Sequence, residues 1–386
     1  MAQELISNKR VAIIGGGPAG CICAKFLLDE GVDVTVFDKG KILRTLLPTG
    51  GGKCNLAHAE YDFKELAKNY PRGEKLLYSV FSKFGTANTV EFFKSLGVET
   101  YVRADKRVFP VSNSSKDVRE KFLKALKGVN FVLENCIEIS SDDLSYIVKT
   151  NKSKYLFDII VVAQGGKGEN ILNNYDIHVT PKTQSLVGLT TAKDFSSLTG
   201  VSLKNIECCS CHGDLLFTHK GISGPLVYML SSIYAYRDFP YDLSFNLVQD
   251  INLQELLNEN SHKEIKNLIS MFVPKSFAQN ILSEIKVDVT TLCHQINGKV
   301  RDKIYETLTN YKITVNGKFP DGEVVTCGGI DLNEINPKTM ESKKYLNLYF
   351  CGEVLDIDGF CGGFNLQNCW STGYVAAMGI IKSLSD

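Results

Sequence analysis

Short apolar runs alternate with stretches of helical period at both ends of the chain, and the middle changes period twice. VAII at 11–14 is a β-branched run too short for a helix, and it predicts a buried parallel strand. CICAKFLLDE follows with helical spacing and stops at Gly31, where left-handed geometry closes a helix. VDVTVFD then predicts a second strand ending in Asp38. FKELAKNY, EKLLYSVFSKF and TVEFFKSLG read as helices, the last ended by Gly97. After the turn-forming SNSS comes another helix, with Ser114 and Asp117 in a capping arrangement.

NFVLENCIEI, LSYIVKT and YLFDIIVVAQGG predict strands, the last nearly all apolar as a central parallel strand is. From 186 to about 250 the runs shorten (LVGLTT, KNIECCSC, GDLLFT, YDLSFNLV) and turn residues separate them, which predicts a β-rich subdomain. Residues 251–310 return to helical spacing, with Ser261 and Glu264 as a capping box. Strands resume in KITVNGKFPDGEVVTCGGI, and LYFCGE precedes a last helix rich in small residues. The simplest organisation is a helical block within a β-rich block, itself inserted into an α/β fold. No internal repeat is visible.

Composition narrows the function classes. The 386 residues are 44% hydrophobic and 22% charged, a globular balance. Lys+Arg and Asp+Glu are both 43, and this neutrality argues against a nucleic-acid partner or a membrane-surface patch. The N-terminus lacks the parts of a secretion signal, and no apolar run is long enough to span a bilayer. The expectation is therefore a cytoplasmic protein whose 12 cysteines are thiols, most of them small buried hydrophobes.

The chemistry begins at Gly15-Gly16-Gly17-Pro18-Ala19-Gly20, a G-x-G-x-x-G set between the first strand and its helix. Gly15 permits the tight turn, Gly17 lets a pyrophosphate approach the backbone, and Gly20 lets helix and strand pack closely. The helix N-terminus offers free N–H groups and a positive dipole to the phosphates. Asp38, at the end of the next strand, is placed to accept hydrogen bonds from ribose hydroxyls, and its charge disfavours a 2′-phosphate. At the other end, Gly362-Gly363-Phe364-Asn365-Leu366-Gln367 opens the small-residue helix, whose N-terminus suits negative charge on a flavin ring.

VAIIGGGPAG, TGGGKCN, RVFPVSNSSKDV, VVAQGGKG, GDLLFTHKGISGP, GGIDLNEINPKTMES and YFCGEVLDIDGFCGGFNLQ resemble, in order and spacing, the motifs of a bacterial three-domain flavoprotein family. That family is usually labelled NAD(P)/FAD-dependent oxidoreductase, with relatives described as bile-acid-inducible or aminoacetone-oxidase-like. The resemblance implies an α/β, Rossmann-like FAD/NAD(P)-binding domain of the glutathione-reductase type, with an inserted β-barrel and a small helical domain. The FAD domain would take 1–185 and 327–386, the barrel 186–250 and 311–326, and the helical insert 251–310. It implies that Gly15, Gly17, Pro18, Ala19 and Gly20 hold the FAD pyrophosphate, while Asp38, with Lys39 beside it, holds the adenosine ribose. Ile137 would lie on the strand facing the adenine. Gly352 and Glu353 would lie near the ribityl chain, and Gly363, Phe364, Asn365, Leu366 and Gln367 beneath the flavin. Gly165 follows a strand end where Gln164 replaces the usual Thr.

Two apparent motifs fail. Gly50–Cys54 hints at a phosphate loop, but Leu47 and Cys54 stand where that loop needs Gly and Ser or Thr. Gly51, Gly52, Lys53, Cys54 and Asn55 are instead expected to clamp the cofactor, with Lys53 offsetting charge and Cys54-Asn55 lining the flavin edge. Cys208-Cys209-Ser210-Cys211-His212 matches a haem-attachment pattern, yet covalent attachment happens outside the cytoplasm, so a strand or turn of the barrel is expected there. His219 and Lys220 face substrate or lie in a loop. No metal is expected.

The expected function is FAD-dependent oxidation or reduction of a small organic substrate. With no second G-x-G-x-x-G, NAD(P)H, if used, binds transiently near the flavin. Reductase and oxidase both remain open, and no catalytic residue is assigned. A flavoprotein modifying tRNA and a non-catalytic flavin sensor are the rival readings; neutral charge counts against the first.

Overall fold

The computed structural model describes residues 9–142, 145–167, 169–320 and 325–385. The chain forms two compact units, one from Met1–Thr183 with Val325–Asp386 and one from Gln184–Val324.

The first unit is built on a five-stranded parallel sheet. Its strands are β1 (Arg10–Ile14), β2 (Asp33–Phe37), β3 (Asn130–Val132), β4 (Ile159–Val162) and β5 (Leu348–Phe350), in spatial order β5-β4-β1-β2-β3. The four residues of β4 and the last four of β1 are all buried, which is why they read as unbroken apolar runs. Helix α1 (Pro18–Asp29) follows β1, and Gly31 beyond it has φ +78°. Helix α2 (Phe364–Ser385) packs on α1 so closely that a Cβ on Gly373 would lie 2.4 Å from the Ala19 carbonyl oxygen.

Two expected strands each divide. NFVLENCIEI supplies β3 and then Cys136–Ser141, which joins an antiparallel meander with Tyr146–Thr150 and Lys154–Phe157. YLFDIIVVAQGG divides at Asp158, whose Oδ2 accepts the Arg10 N–H at 2.8 Å while β4 moves to the parallel sheet. Apolar periodicity does not record a change of pairing partner, since both sides of the break remain apolar.

The second unit is a six-stranded antiparallel sheet with helices packed on it. The outer strands Ser202–Cys208 and Tyr241–Phe245 are joined by reciprocal Glu207–Asn246 backbone bonds of 3.0 and 2.8 Å, so the sheet curls toward closure. The helices between 253 and 309 enter between two strands that pair directly, Tyr241–Phe245 and Tyr311–Lys318. They bury Leu257, Ile269, Phe277 and Ile304 in one core with Phe217, Phe245 and Val315 of the sheet.

Ser114 caps the helix Ser115–Ala125 by accepting the Asp117 N–H at 3.3 Å. The Ser261–Glu264 box does not form. Its helix starts at Ile265, whose N–H bonds the Thr291 carbonyl, and the Ser261 carbonyl accepts from His294. Backbone pairing with 291–294 overrides the local cap there.

One charged pair fixes the loop ahead of α2. Arg72 Nη2 meets Asp358 Oδ2 at 2.6 Å, with Nε on the other oxygen, and Asp358 is fully buried. Replacing Arg72 with Met would strand that carboxylate in the interior. Chemical denaturation should show a loss of about 3–5 kcal/mol relative to the wild type.

Candidate functional site

The strands of the parallel sheet end at one edge, and four of the segments singled out in the sequence lie there. The ladder runs on past each strand: Gly15 N–H bonds the Phe37 carbonyl at 2.8 Å, Ala163 N–H the Ile14 carbonyl at 2.8 Å, and Cys351 N–H the Val162 carbonyl at 3.1 Å. The turn after β1, Asp38 after β2, Gly165 after β4 and Gly352-Glu353 after β5 therefore share the carboxyl edge, where open α/β sheets bind ligands.

The G-x-G-x-x-G turn has the form a pyrophosphate requires. Gly15 has φ +117°, and a Cβ there would overlap the Ala163 carbonyl oxygen at 2.3 Å. A Cβ on Gly20 would lie 2.0 Å from the Gly15 carbonyl oxygen, so helix and turn touch. Among the described residues beyond its own turn and helix, only the Thr45 hydroxyl comes within 4 Å of a Cβ placed on Gly17, at 3.7 Å, and no side chain caps α1, which opens with Pro18. Space, free amides and helix dipole meet at Gly17 and Ala19.

Asp38 holds this turn in shape. Its Oδ2 accepts the Gly16 N–H at 2.9 Å and its Oδ1 the Gly40 N–H at 2.8 Å, leaving lone pairs on both oxygens for ribose hydroxyls. Lys39 is exposed beside it. Across the edge, Glu353 Oε1 accepts the Thr326 N–H at 2.8 Å, and its Oε2 lies 3.7 Å from where a Gly165 Cβ would be. A Cβ on Gly352 would lie 2.7 Å from that of Ala19, so the turn after β5 and the start of α1 are in contact. Ile137 falls outside the parallel sheet, in the meander where the register shifts, and is 44% exposed.

The start of α2 is tied down from several sides. Phe364 stacks on His58 with centroids 4.5 Å apart, and its carbonyl accepts the Tyr70 hydroxyl at 2.6 Å. The Asn365 amide exchanges two hydrogen bonds with the backbone of Gly359, 2.9 and 2.8 Å. Gln367 is fully buried between Thr89 and Ser371, at 3.0 and 2.9 Å, so its polar atoms serve packing; Leu366 is half-buried. A Cβ on Gly363 would lie 2.4 Å from the Ala57 carbonyl oxygen, which brings the segment after TGGGKCN against the helix. Burial lowers the His58 pKa, so its imidazole is neutral at physiological pH.

The TGGGKCN loop is a left-handed coil. Gly50, Gly51 and Gly52 have φ of +58°, +66° and +84°, and Cys54 follows at +64°. Beyond the adjacent residues, nothing among the described residues lies within 4 Å of a Cβ placed on Gly51 or Gly52, and Lys53 is exposed. Cys54 is fully buried, and desolvation pushes its thiol up to about 12, so it carries no thiolate near neutrality. Asn55 is 8% exposed and its Oδ1 is buried without a hydrogen-bond partner.

Sequence reasoning missed Asn368, on the first turns of α2, which is 2% exposed and also has a buried Oδ1 without a partner. It missed His58 and the Arg72–Asp358 clamp as well. No spacing rule links 58 to 364 or 72 to 358, because both contacts depend on how distant segments fold together.

In the second unit, Cys208 and Cys211 face each other across a hairpin turn through Cys209 and Ser210, as expected of a barrel turn. All twelve cysteines are free, and no group of three metal-ligating side chains occurs among the described residues. No helix among those residues is long and apolar enough to cross a membrane.

A family model described as the HI0933-like protein Rossmann domain matches residues 9–379. The chain belongs to this HI0933-like family. Among curated proteins it is 28% identical to the ribosomal RNA dihydrouridine synthase of Escherichia coli, over 97% of this chain and 98% of that one. It is 25% identical to a 3-dehydro-bile acid delta(4,6)-reductase of Clostridium scindens, over 95% and 98%. Among solved structures, a flavocytochrome c3 fumarate reductase shares the fold at 13% identity and a TM-score of 0.52, covering 98% of this chain and 79% of that one. The cofactor of this HI0933-like flavoprotein is FAD. The uncapped α1 terminus, the open surroundings of Gly17 and the partnerless buried amides fit it.

Two outcomes check the role of the loop. Iodoacetamide at pH 7–8 should alkylate the exposed Cys209 and leave Cys54 unmodified, read by peptide mass spectrometry. Cys54→Ala should retain its yellow FAD, because the loop acts through its backbone path; a colourless variant would show that the buried thiol itself is needed to hold the cofactor.

Proposed function

We propose that this HI0933-like protein is an FAD-dependent reductase of a carbon–carbon double bond conjugated to a carbonyl, and that its substrate is uridine in ribosomal RNA. End-to-end similarity to a dihydrouridine synthase carries this reading. The C5=C6 bond of uracil is conjugated to the C4 carbonyl, so it accepts a hydride at C6 and a proton at C5. The delta-4 bond of a 3-oxo steroid is conjugated in the same way, so the two relatives' names describe one kind of chemistry. Reduced FAD, when bound, supplies the hydride. The pyridine nucleotide that would reduce it has no second G-x-G-x-x-G to bind, which favours a transient visit.

The chain's own part is to bind and orient. The open glycine backbone at Gly51 and Gly52 leaves room for a planar ring. Lys39, Lys41, Arg44 and Lys53 are exposed, and no carboxylate occurs from 39 to 59. Zero net charge counts against nucleic acid only as an average over the chain. This local strip suits phosphates, those of the FAD pyrophosphate and those of RNA alike. Ribosomal RNA as substrate agrees with the cytoplasmic expectation.

The test is anaerobic. Holoprotein, photoreduced, is mixed with ribosomal RNA transcribed in vitro, with a 3-oxo-delta-4 steroid, or with buffer. The expected result is return of the flavin's visible absorbance with RNA, together with a nucleoside heavier by two hydrogens in the digest. Reoxidation by the steroid with none by RNA would move the substrate to the steroid class, and no reoxidation by either would overturn the reading.

A further inference from the structure

Asn55 sits where an exposed glycine coil enters the interior, and its backbone is fixed on both sides. The preceding residue, Cys54, sits in the left-handed region at φ +64°, an uncommon conformation for a residue with a side chain. Hydrogen bonds from Lys53 N–H to Gly50 and from Cys54 N–H to Thr49, 3.4 and 2.9 Å, close the loop behind it. A Cβ on Gly50 would lie 2.8 Å from the Asn55 nitrogen and 3.3 Å from its Cβ, so only glycine lets the loop close on Asn55. On the other side Leu56 is bonded twice: its N–H to Val108 at 2.9 Å and its carbonyl to the Trp370 indole of α2 at 2.9 Å.

All this constraint positions an amide oxygen that has no hydrogen-bond partner among the described residues. A buried carbonyl without a donor is costly, and a hydrophobic residue of the same size would avoid the cost. Neither the strain nor the orphan oxygen serves the fold. They are what a site for an N–H donor from another molecule looks like. A carboxamide offers an acceptor beside a donor, and the group that complements it along one edge is a cyclic imide, C(=O)–NH–C(=O). Two molecules relevant to this site carry that edge: the pyrimidine ring of the isoalloxazine and the uracil base.

The geometry points to Asn55 as the residue that reads a cyclic imide, its Oδ1 accepting the imide N–H. The uracil alternative rests on the RNA reading above, whereas the flavin alternative needs only bound FAD, so the two fail separately.

The test methylates the imide nitrogen and counts the loss with and without Asn55. Holoprotein is equilibrated with FAD and N3-methyl-FAD, and the bound flavin is analysed after release. In parallel, a short oligoribonucleotide carrying uridine or 3-methyluridine is titrated onto the holoprotein. If the flavin is the occupant, the wild type prefers FAD by about tenfold or more and Asn55→Leu loses that preference. If uracil is the occupant, the flavins exchange evenly, and uridine is preferred over 3-methyluridine by the wild type but not by the variant. Leu matches Asn in size, so a preference that survives in Asn55→Leu is steric and overturns the proposal. So does a wild type that discriminates in neither arm. Asn55→Ala gives the same comparison should the Leu variant not fold.

Discussion

The molecule turns on the space around Ala19. Its carbonyl lies where Gly373 of α2 crosses, its side chain touches the turn at Gly352, and the following Gly20 rests on the carbonyl of Gly15. Three segments far apart in the chain meet there with no room for an added methyl group. Close-packed interiors do not yield by an ångström without cost, so these contacts set how the first turn of α1, the end of β5 and the start of α2 face one another. The relative placement of the turn after β1, the turn after β5 and α2 follows from that packing.

Much of this arrangement was legible in the sequence. The first turn, α1, β2 and Asp38 are local in sequence, and glycine spacing carries their geometry directly. The small residues of α2 announced a close approach without saying to what. Breaks in pairing at Glu134 and Asp158 were not legible, because a change of hydrogen-bonding partner leaves no mark on hydrophobic period. The same holds for the box at Ser261, where local capping chemistry lost to His294, 33 residues away. Asn365 and Gln367 show a further limit. Their place in a recognisable motif suggested ligand contacts, yet the side chain of one holds Gly359 and that of the other is enclosed by Thr89 and Ser371.

The TGGGKCN loop resolves differently from any of its obvious readings. It contains a cysteine that is chemically quiet because it is buried, and an exposed lysine in a stretch, 39–59, that contains no carboxylate. Its three left-handed glycines have room around two of them, so the sequence is chosen for backbone path as much as for side chains. The loop closes on its last residue, Asn55, through the hydrogen bonds of Lys53 and Cys54 to Gly50 and Thr49.

The wide separation of contacting segments has a temporal meaning as well. Leu56 and Trp370 share a hydrogen bond across 314 positions, and β5 enters the sheet only after the whole of the second unit has been made. Long-range pairings of this kind close late, after the local elements have formed. A chain still on the ribosome can therefore complete the first turn and α1 before their contacts with β5 and α2 exist. The carboxyl edge of the sheet, with its last strand and the helix that follows, is assembled only as synthesis finishes.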